Sequence, residues 1–196
     1  MPFSYTKELI DSALTYAEYR KQISDMLARP PADAAAERMR PHLANNSLLM
    51  DKYELGYPVF PELTEALSVA PATTWLIITE GWCGDAAFNI PLLNAAEKAL
   101  PEKIKLRFVL RDSNLELMDA NLTDGGRSIP KLIVLDDGLK PLGYWGPRPA
   151  GLQSLMKQWK DGLELKELIP KVHSWYDSDK TRSLQQELTR LVKRYS

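Results

Sequence analysis

The sequence predicts an α/β protein in which a mixed central sheet is flanked by helices, with extra helices at both ends. From about residue 73, apolar runs typical of strands alternate with helical segments. An Asp-Asp-Gly turn at 136–138 joins two of these runs into an antiparallel hairpin. Amphipathic periodicity dominates both ends. We therefore expect a helical N-terminal extension at 1–71, a central domain at 72–162 and a C-terminal helical extension at 163–196 packed on the same core.

The N-terminal extension is predicted to contain three helices. Apolar residues at helical spacing indicate one amphipathic helix over residues 5–28. Asp33 is a good N-cap for a second helix that runs towards Leu43. Two asparagines at 45–46 are expected to end it, and a short third helix is predicted at 47–55.

The remaining elements follow from apolar runs, turn signals and helical periodicity. The tail carries two amphipathic segments, and the second of them begins after the Asp-Ser-Asp cluster at 177–179. An apolar seam there could join two copies, so the sequence leaves both a monomer and a homodimer open. In the central domain we predict helices at 86–100, 115–122 and 150–161, and strands at 73–79, 105–111, 131–135 and 141–145.

The composition excludes several classes of partner. With 25 Lys and Arg against 26 Asp and Glu, the net charge of −1 provides no attraction to nucleic acid or to a membrane surface. No apolar run approaches the ~18–20 residues that a membrane span needs, and the N-terminus lacks the pattern of a signal peptide. The single cysteine, Cys83, excludes an internal disulfide and is typical of a reducing compartment. We expect a cytoplasmic protein without nucleic-acid or membrane partners.

Cys83 lies at a predicted strand-to-helix turn. The positive end of a helix dipole favours the thiolate, and Gly84 leaves the thiol open, so we expect an accessible cysteine whose pKa is below the free value of ~8.5. Asp85 opposes this shift, because a carboxylate in the same turn repels a thiolate. The sequence therefore predicts only partial acidification of the thiol. Asp85 is otherwise expected to complement the helix dipole.

Four features resemble the thioredoxin superfamily. Trp82 precedes Cys83, and Pro91 follows eight residues after the cysteine. The segment Arg-Ser-Ile-Pro at 127–130 is similar to the one that ends in the cis-proline of that family. Gly146 lies sixteen residues after this proline, at the spacing of the family's glycine after the last strand. The chain resembles bacterial thioredoxin-like proteins with the motif Trp-Cys-Gly-Asp-Ala.

The resemblance covers about residues 72–162 and implies a thioredoxin-like fold with a cis peptide bond before Pro130. It also implies a site in which Cys83 is the nucleophile and Ile129 presents its backbone to an extended substrate. The full set of substrate-binding residues that it implies is Trp82, Gly84, Asp85, Ile129, Pro130 and Gly146.

Two departures from the family limit its usual chemistry. Ala86 stands where a dithiol enzyme has its resolving cysteine, and apolar Ile77 stands where thioredoxins have a buried aspartate. A monothiol thiol–disulfide oxidoreductase remains one hypothesis, acting through a mixed disulfide in cell redox homeostasis. Its partners would be protein or small-molecule thiols and disulfides, with glutathione or a partner thiol as the resolving agent and no other cofactor. The alternative is a redox-inactive module that holds an extended peptide in the same groove.

The remaining polar residues suggest no further site. His42 and His173 are far apart in sequence and lack metal-ligand spacing, so we expect no metal and place both at the surface or at an interface. Arg148 is expected at the rim of the site, where it either meets an anionic ligand or, as is more usual for such a residue, is solvated. Two glycines at 125–126 form a loop and not a phosphate cradle.

Overall fold

A computed structural model of the protein describes residues 3–159 and 162–196. Its sheet has the order β2-β1-β3-β4, in which β1 is parallel to β2 and antiparallel to β3, and β3 and β4 form an antiparallel hairpin. The predicted mixed sheet flanked by helices is confirmed. The strands are β1 (Thr73–Thr79), β2 (Ile104–Leu110), β3 (Lys131–Leu135) and β4 (Pro141–Trp145). The helices are α1 (Lys7–Ser12), α2 (Tyr16–Ala28), α3 (Ala34–Gly56), α4 (Pro61–Val69), α5 (Gly84–Ala99), α6 (Leu115–Asp119), α7 (Ala150–Trp159), α8 (Leu165–Asp179) and α9 (Arg182–Val192).

The two central strands form the middle of the core. All five residues of β3 are buried, and β1 is buried at every position except Thr74. Helices cover both faces of the sheet, so both sets of alternating side chains are excluded from water. This burial explains why these strands are continuous apolar runs in the sequence. Among the described residues, no helix has both the length and the apolar character needed to cross a membrane.

The predicted helix over residues 5–28 is wrong, because the chain forms two helices there. The backbone of Leu14 pairs with that of Phe108, with N···O distances of 2.9 and 2.8 Å, and so covers the edge of β2. Thr15 then begins α2 through a capping box with Glu18. The helical pattern is thus interrupted because Leu14 pairs with a strand residue that is nearly a hundred positions away in sequence.

The two helices predicted at 33–43 and 47–55 are also wrong, since α3 is continuous. Asp33 caps its start as expected, accepting hydrogen bonds from two backbone N–H groups. Asn46 does not end the helix; it is buried, and its Nδ2 donates to the carbonyl oxygen of Gly81 over 3.1 Å. This bond ties α3 to the turn that carries Cys83. Helix α4 was not predicted.

The boundaries of two other helices differ from the prediction. Helix α5 begins two residues earlier than expected, and α6 ends at Asp119 instead of residue 122. The expected end of α7 at residue 161 lies outside the described residues, as do residues 1 and 2.

The C-terminal helices pack on the rest of the protein. The ring of Tyr176 in α8 stacks on Phe88 of α5, with centroids 4.1 Å apart. Helix α9 lies against α4 and β4, and it buries Leu184, Leu188 and Val192. Helix α8 therefore packs against α5, the helix that begins directly after Cys83.

Candidate functional site

Cys83 occupies the N-cap of α5 at the end of the turn that follows β1. Its Sγ lies 3.2 Å from the carbonyl oxygen of Ile129, to which the thiol donates a hydrogen bond. The peptide bond between Ile129 and Pro130 is cis, which confirms the isomer that the sequence resemblance implied. The fold thus brings together Cys83, Ile129 and Pro130 from segments 46 residues apart.

The thiol of Cys83 is buried, with only 8% of the residue exposed. Burial, followed by the charge of Asp85, raises the pKa of Cys83 to about 12, although backbone N–H groups of the first turn and Arg148 act in the opposite direction. The expectation of an accessible thiol with a lowered pKa is therefore wrong. The expectation that the charge of Asp85 raises the thiol pKa is confirmed. Loss of hydration outweighs the helix dipole at this position.

Asp85 forms a largely buried ion pair with Arg148. Oδ2 of Asp85 accepts from Nε of Arg148 over 3.0 Å and also from Nη2, in a two-pronged arrangement. The side chains are 11% and 14% exposed, respectively. Arg148 comes from the loop after β4, and the prediction that it is a solvated rim residue is wrong. Asp85 also does more than complement the helix dipole, because it anchors this loop to α5.

The ion pair belongs to a larger polar cluster. The hydroxyl of Tyr176 donates to Oδ1 of Asp85 over 2.8 Å. Nδ2 of Asn89 lies 2.9 Å from that hydroxyl and 2.7 Å from the carbonyl oxygen of Asp85. Burial and the Asp85 charge raise the pKa of Tyr176 well above 10, so the phenol remains a donor. We call Asp85, Asn89, Arg148 and Tyr176 the Asp85 cluster.

The Asp85 cluster joins the C-terminal extension to the cysteine turn. Tyr176 is supplied by α8, Arg148 by the loop after β4, and the other two residues by α5. Nη1 of Arg148 further donates to Oε1 of Gln153 in α7 over 2.9 Å. Sequence reasoning missed Asn89 and Tyr176, because nothing local to either residue indicates a contact with Asp85.

Trp82 and Gly84 lie on either side of Cys83 and are partly exposed. The indole ring of Trp82 contacts the guanidinium of Arg111, which lies 4.8 Å from the ring centroid. Gly84 has open space at the position where a Cβ atom would be. These residues form the accessible border of the turn, whereas the thiol lies beneath it.

Gly146 allows the loop after β4 to approach the cis-proline segment. Its φ is +113°, a conformation that residues with side chains rarely adopt. A Cβ atom built on it would lie 2.2 Å from the carbonyl oxygen of Pro130. The following peptide bond, to Pro147, is also cis. Gly146 therefore holds a backbone-to-backbone contact beside the site.

Gly146→Ala is expected to lower the free energy of unfolding by roughly 3 kcal/mol or more, because both the positive φ and the backbone clash must be relieved. Gly84→Ala is the matched control: it has open space in the first turn of α5, so stability should stay unchanged or rise by up to ~1 kcal/mol. Urea unfolding followed by circular dichroism measures both changes. Equal stability of the two variants would contradict the close approach at Gly146.

Neither histidine lies in a group of three potential metal ligands in the described part of the chain. His42 and His173 are both exposed, and His173 packs edge-on against Phe88 with ring centroids 5.0 Å apart. Within residues 3–159 and 162–196, no three His, Cys, Asp or Glu side chains are grouped so that they could hold a metal ion. Ile77, which replaces the buried aspartate of thioredoxins, is fully buried in β1. The site therefore has no carboxylate at that position to accept a proton from Cys83.

Comparisons with known proteins agree with this architecture. The profile of a family described as Thioredoxin matches residues 37–160. The crystal structure of a protein of unknown function from Pseudomonas aeruginosa is similar, with a TM-score of 0.65 and 18% identity, over 99% of this chain and 100% of that one. An HIV epitope-scaffold is similar with a TM-score of 0.63 and 17% identity, over 98% of this chain and 100% of that one. No curated protein matches the chain significantly. At these identities the two structures share the fold with this chain.

Proposed function

The chain belongs to the thioredoxin family, and from the burial of its only cysteine we propose that it acts by binding a partner and not by thiol–disulfide turnover. This proposal rests on the burial and the hydrogen bonding of the Cys83 thiol. Its thiol is buried and hydrogen-bonded to Ile129, whereas thiol–disulfide exchange requires an exposed thiolate. With the pKa raised to about 12, the thiol stays protonated at neutral pH.

The substrate platform of the family is also closed in this protein. Ile129 is only 5% exposed, and its carbonyl oxygen accepts the hydrogen bond from Cys83. An extended substrate needs this backbone to be free for pairing. The features that the family uses for disulfide exchange are therefore part of the protein's interior here, which supports a role in binding through another surface.

A monothiol oxidoreductase is the second candidate. It is favoured by the position of Cys83 at the N-cap of α5, where two backbone N–H groups and Arg148 lower the thiol pKa in part. In that reaction the thiol would first leave Ile129 and lose its proton to solvent. The thiolate would attack one sulfur of a substrate disulfide, form a mixed disulfide and release the other sulfur as a thiolate. A glutathione thiolate would then attack the substrate sulfur of this mixed disulfide. The products would be a mixed disulfide of glutathione with the substrate and the restored Cys83 thiolate.

The two candidates differ in turnover that depends on Cys83. We expect reduction of a small disulfide by glutathione to proceed at the same rate with the wild-type protein, with Cys83→Ser and without protein. The measurement is the consumption of NADPH in an assay coupled to glutathione reductase. A rate above background that Cys83→Ser abolishes would overturn the binding proposal in favour of the monothiol enzyme.

A further inference from the structure

Two adjoining grooves run along the surface between α9 and the segment that leads into α4. Their volumes are about 450 and 420 Å³, and Phe60 and Arg182 line both of them. They therefore form one elongated depression. We call it the basic groove, after the five cationic side chains that line it: Lys52, Lys180, Arg182, Arg190 and Lys193.

The charge of the basic groove contrasts with that of the whole protein. Glu62 is the one acidic residue in its described lining, although the net charge of the chain is −1. Lys52 pairs with Asp177 over 2.9 Å. The other four cations are exposed, and within the described part of the chain they form no ion pair. Several unpaired cations along one groove attract an anionic partner.

The floor of the basic groove is held in place by Gln185. This residue is 1% exposed, and its Oε1 accepts from the backbone N–H of Phe60 over 2.6 Å. Its Nε2 donates to the carbonyl oxygen of Pro58 over 3.1 Å and to Oγ1 of Thr181 over 3.0 Å. One buried amide thus fixes the aromatic wall to the start of α9. A binding surface with fixed walls loses little conformational entropy when a ligand is bound.

Along α9, the cations of the basic groove lie near the two ends of the helix. Arg182 begins α9 and Lys193 follows its last residue, so the two are about 16 Å apart along the helix axis. Arg190 precedes Lys193 by three residues and lies at the same end of the helix. Between Arg182 and this pair lie the uncharged side chains of Gln186 and Thr189, and Phe60 provides an aromatic wall. An extended chain advances about 3.4 Å per residue, so a segment of about five residues matches this length.

We propose that the basic groove binds an extended acidic segment of a partner protein, with a carboxylate near each end and uncharged residues, one of them apolar, between. This names a partner class for the binding function proposed above. It depends on Phe60, which precedes α4, and on cations at the two ends of α9, and not on Cys83. Loss of peptide binding and detection of Cys83 turnover are therefore separate results.

The test uses a fluorescein-labelled peptide, Glu-Ser-Phe-Ser-Glu, and its analogue with Gln at both ends. Fluorescence anisotropy at low salt should show binding of the acidic peptide, weakened about tenfold by the Gln analogue. Arg182→Gln/Lys193→Gln should weaken it by about five- to tenfold, as expected for two solvent-exposed charge contacts. Lys98→Gln/Lys105→Gln is the matched control, because replacing these two exposed lysines changes the net charge by the same amount outside the groove. This variant should bind the peptide within about twofold of the wild type.

Three results would overturn the proposal. The first is no difference between the acidic peptide and its Gln analogue. The second is an equal loss of binding in the control variant, which would show that net charge alone attracts the peptide. The third is tighter binding of a labelled single-stranded oligothymidine than of the peptide, with the same dependence on Arg182 and Lys193, which would assign the groove to nucleic acid.

Discussion

Asp85→Asn is expected to lower the free energy of unfolding by about 3–5 kcal/mol, the usual cost of breaking a buried ion pair by removing one partner. The substitution leaves Arg148, only 14% exposed, without a compensating negative charge. It also weakens the acceptor for the hydroxyl of Tyr176, which holds α8 against α5. The effect is large because both side chains are mostly removed from water, so solvation offsets little of the lost carboxylate charge.

Urea unfolding followed by tryptophan fluorescence measures this change. Asp177→Asn is the matched control, because Asp177 pairs with Lys52 at the surface, where both side chains are more than half exposed. Its loss should cost less than about 1 kcal/mol. Replacing both partners, as in Asp85→Leu/Arg148→Met, should recover most of the stability lost in Asp85→Asn. Similar costs for Asp85→Asn and Asp177→Asn would contradict a buried Asp85 cluster.

Cys83 of the native protein is expected to react with iodoacetamide at pH 8 more than ~100-fold slower than the same cysteine in urea. An unfolded thiol has a pKa of ~8.5 and is partly ionised at this pH. The folded thiol, with its pKa raised to about 12, is almost entirely protonated, and it is buried as well. Mass spectrometry of samples quenched over time measures the two rates.

The unfolded protein provides the control for intrinsic reactivity, since it contains the same sequence around the cysteine. In the folded state, Asp85→Asn should react faster than the wild type, because the Asp85 charge is the second cause of the raised thiol pKa. Native modification within a few-fold of the rate in urea would contradict the burial of Cys83. It would also make the monothiol enzyme the better account of the site.

The central strands were predictable because their physical cause is local. Strands β1 and β3 are buried on both faces, so they appear in the sequence as uninterrupted apolar runs. The hairpin to β4 follows from a turn signal of three residues. The N-terminal helices were not predictable in the same way. Leu14 is not helical, because its backbone pairs with that of Phe108. Asn46 lies inside α3, where its side chain is hydrogen-bonded to the carbonyl oxygen of Gly81.

The candidate site, too, was predictable from the sequence only where its cause is local. The proximity of Cys83 to Pro130 follows from a resemblance visible in short motifs. The Asp85 cluster depends on Tyr176, 91 residues away, and no local pattern indicates that contact. The pKa of Cys83 was misjudged because the helix dipole can be inferred from the sequence, whereas the depth of burial depends on the whole fold.

The most direct test of the account is the ionisation of Cys83 in the native protein. The ultraviolet absorbance of the thiolate should be followed from pH 6 to pH 11, with Cys83→Ser subtracted as the blank, for as long as circular dichroism shows a folded protein. Since folding raises the pKa of the thiol, its contribution to stability is complete below pH ~8.5 and is lost as the pH rises towards 12. We predict no thiolate midpoint in the folded protein within this range. A midpoint at or below ~8.5 would show a poised thiolate and contradict the account.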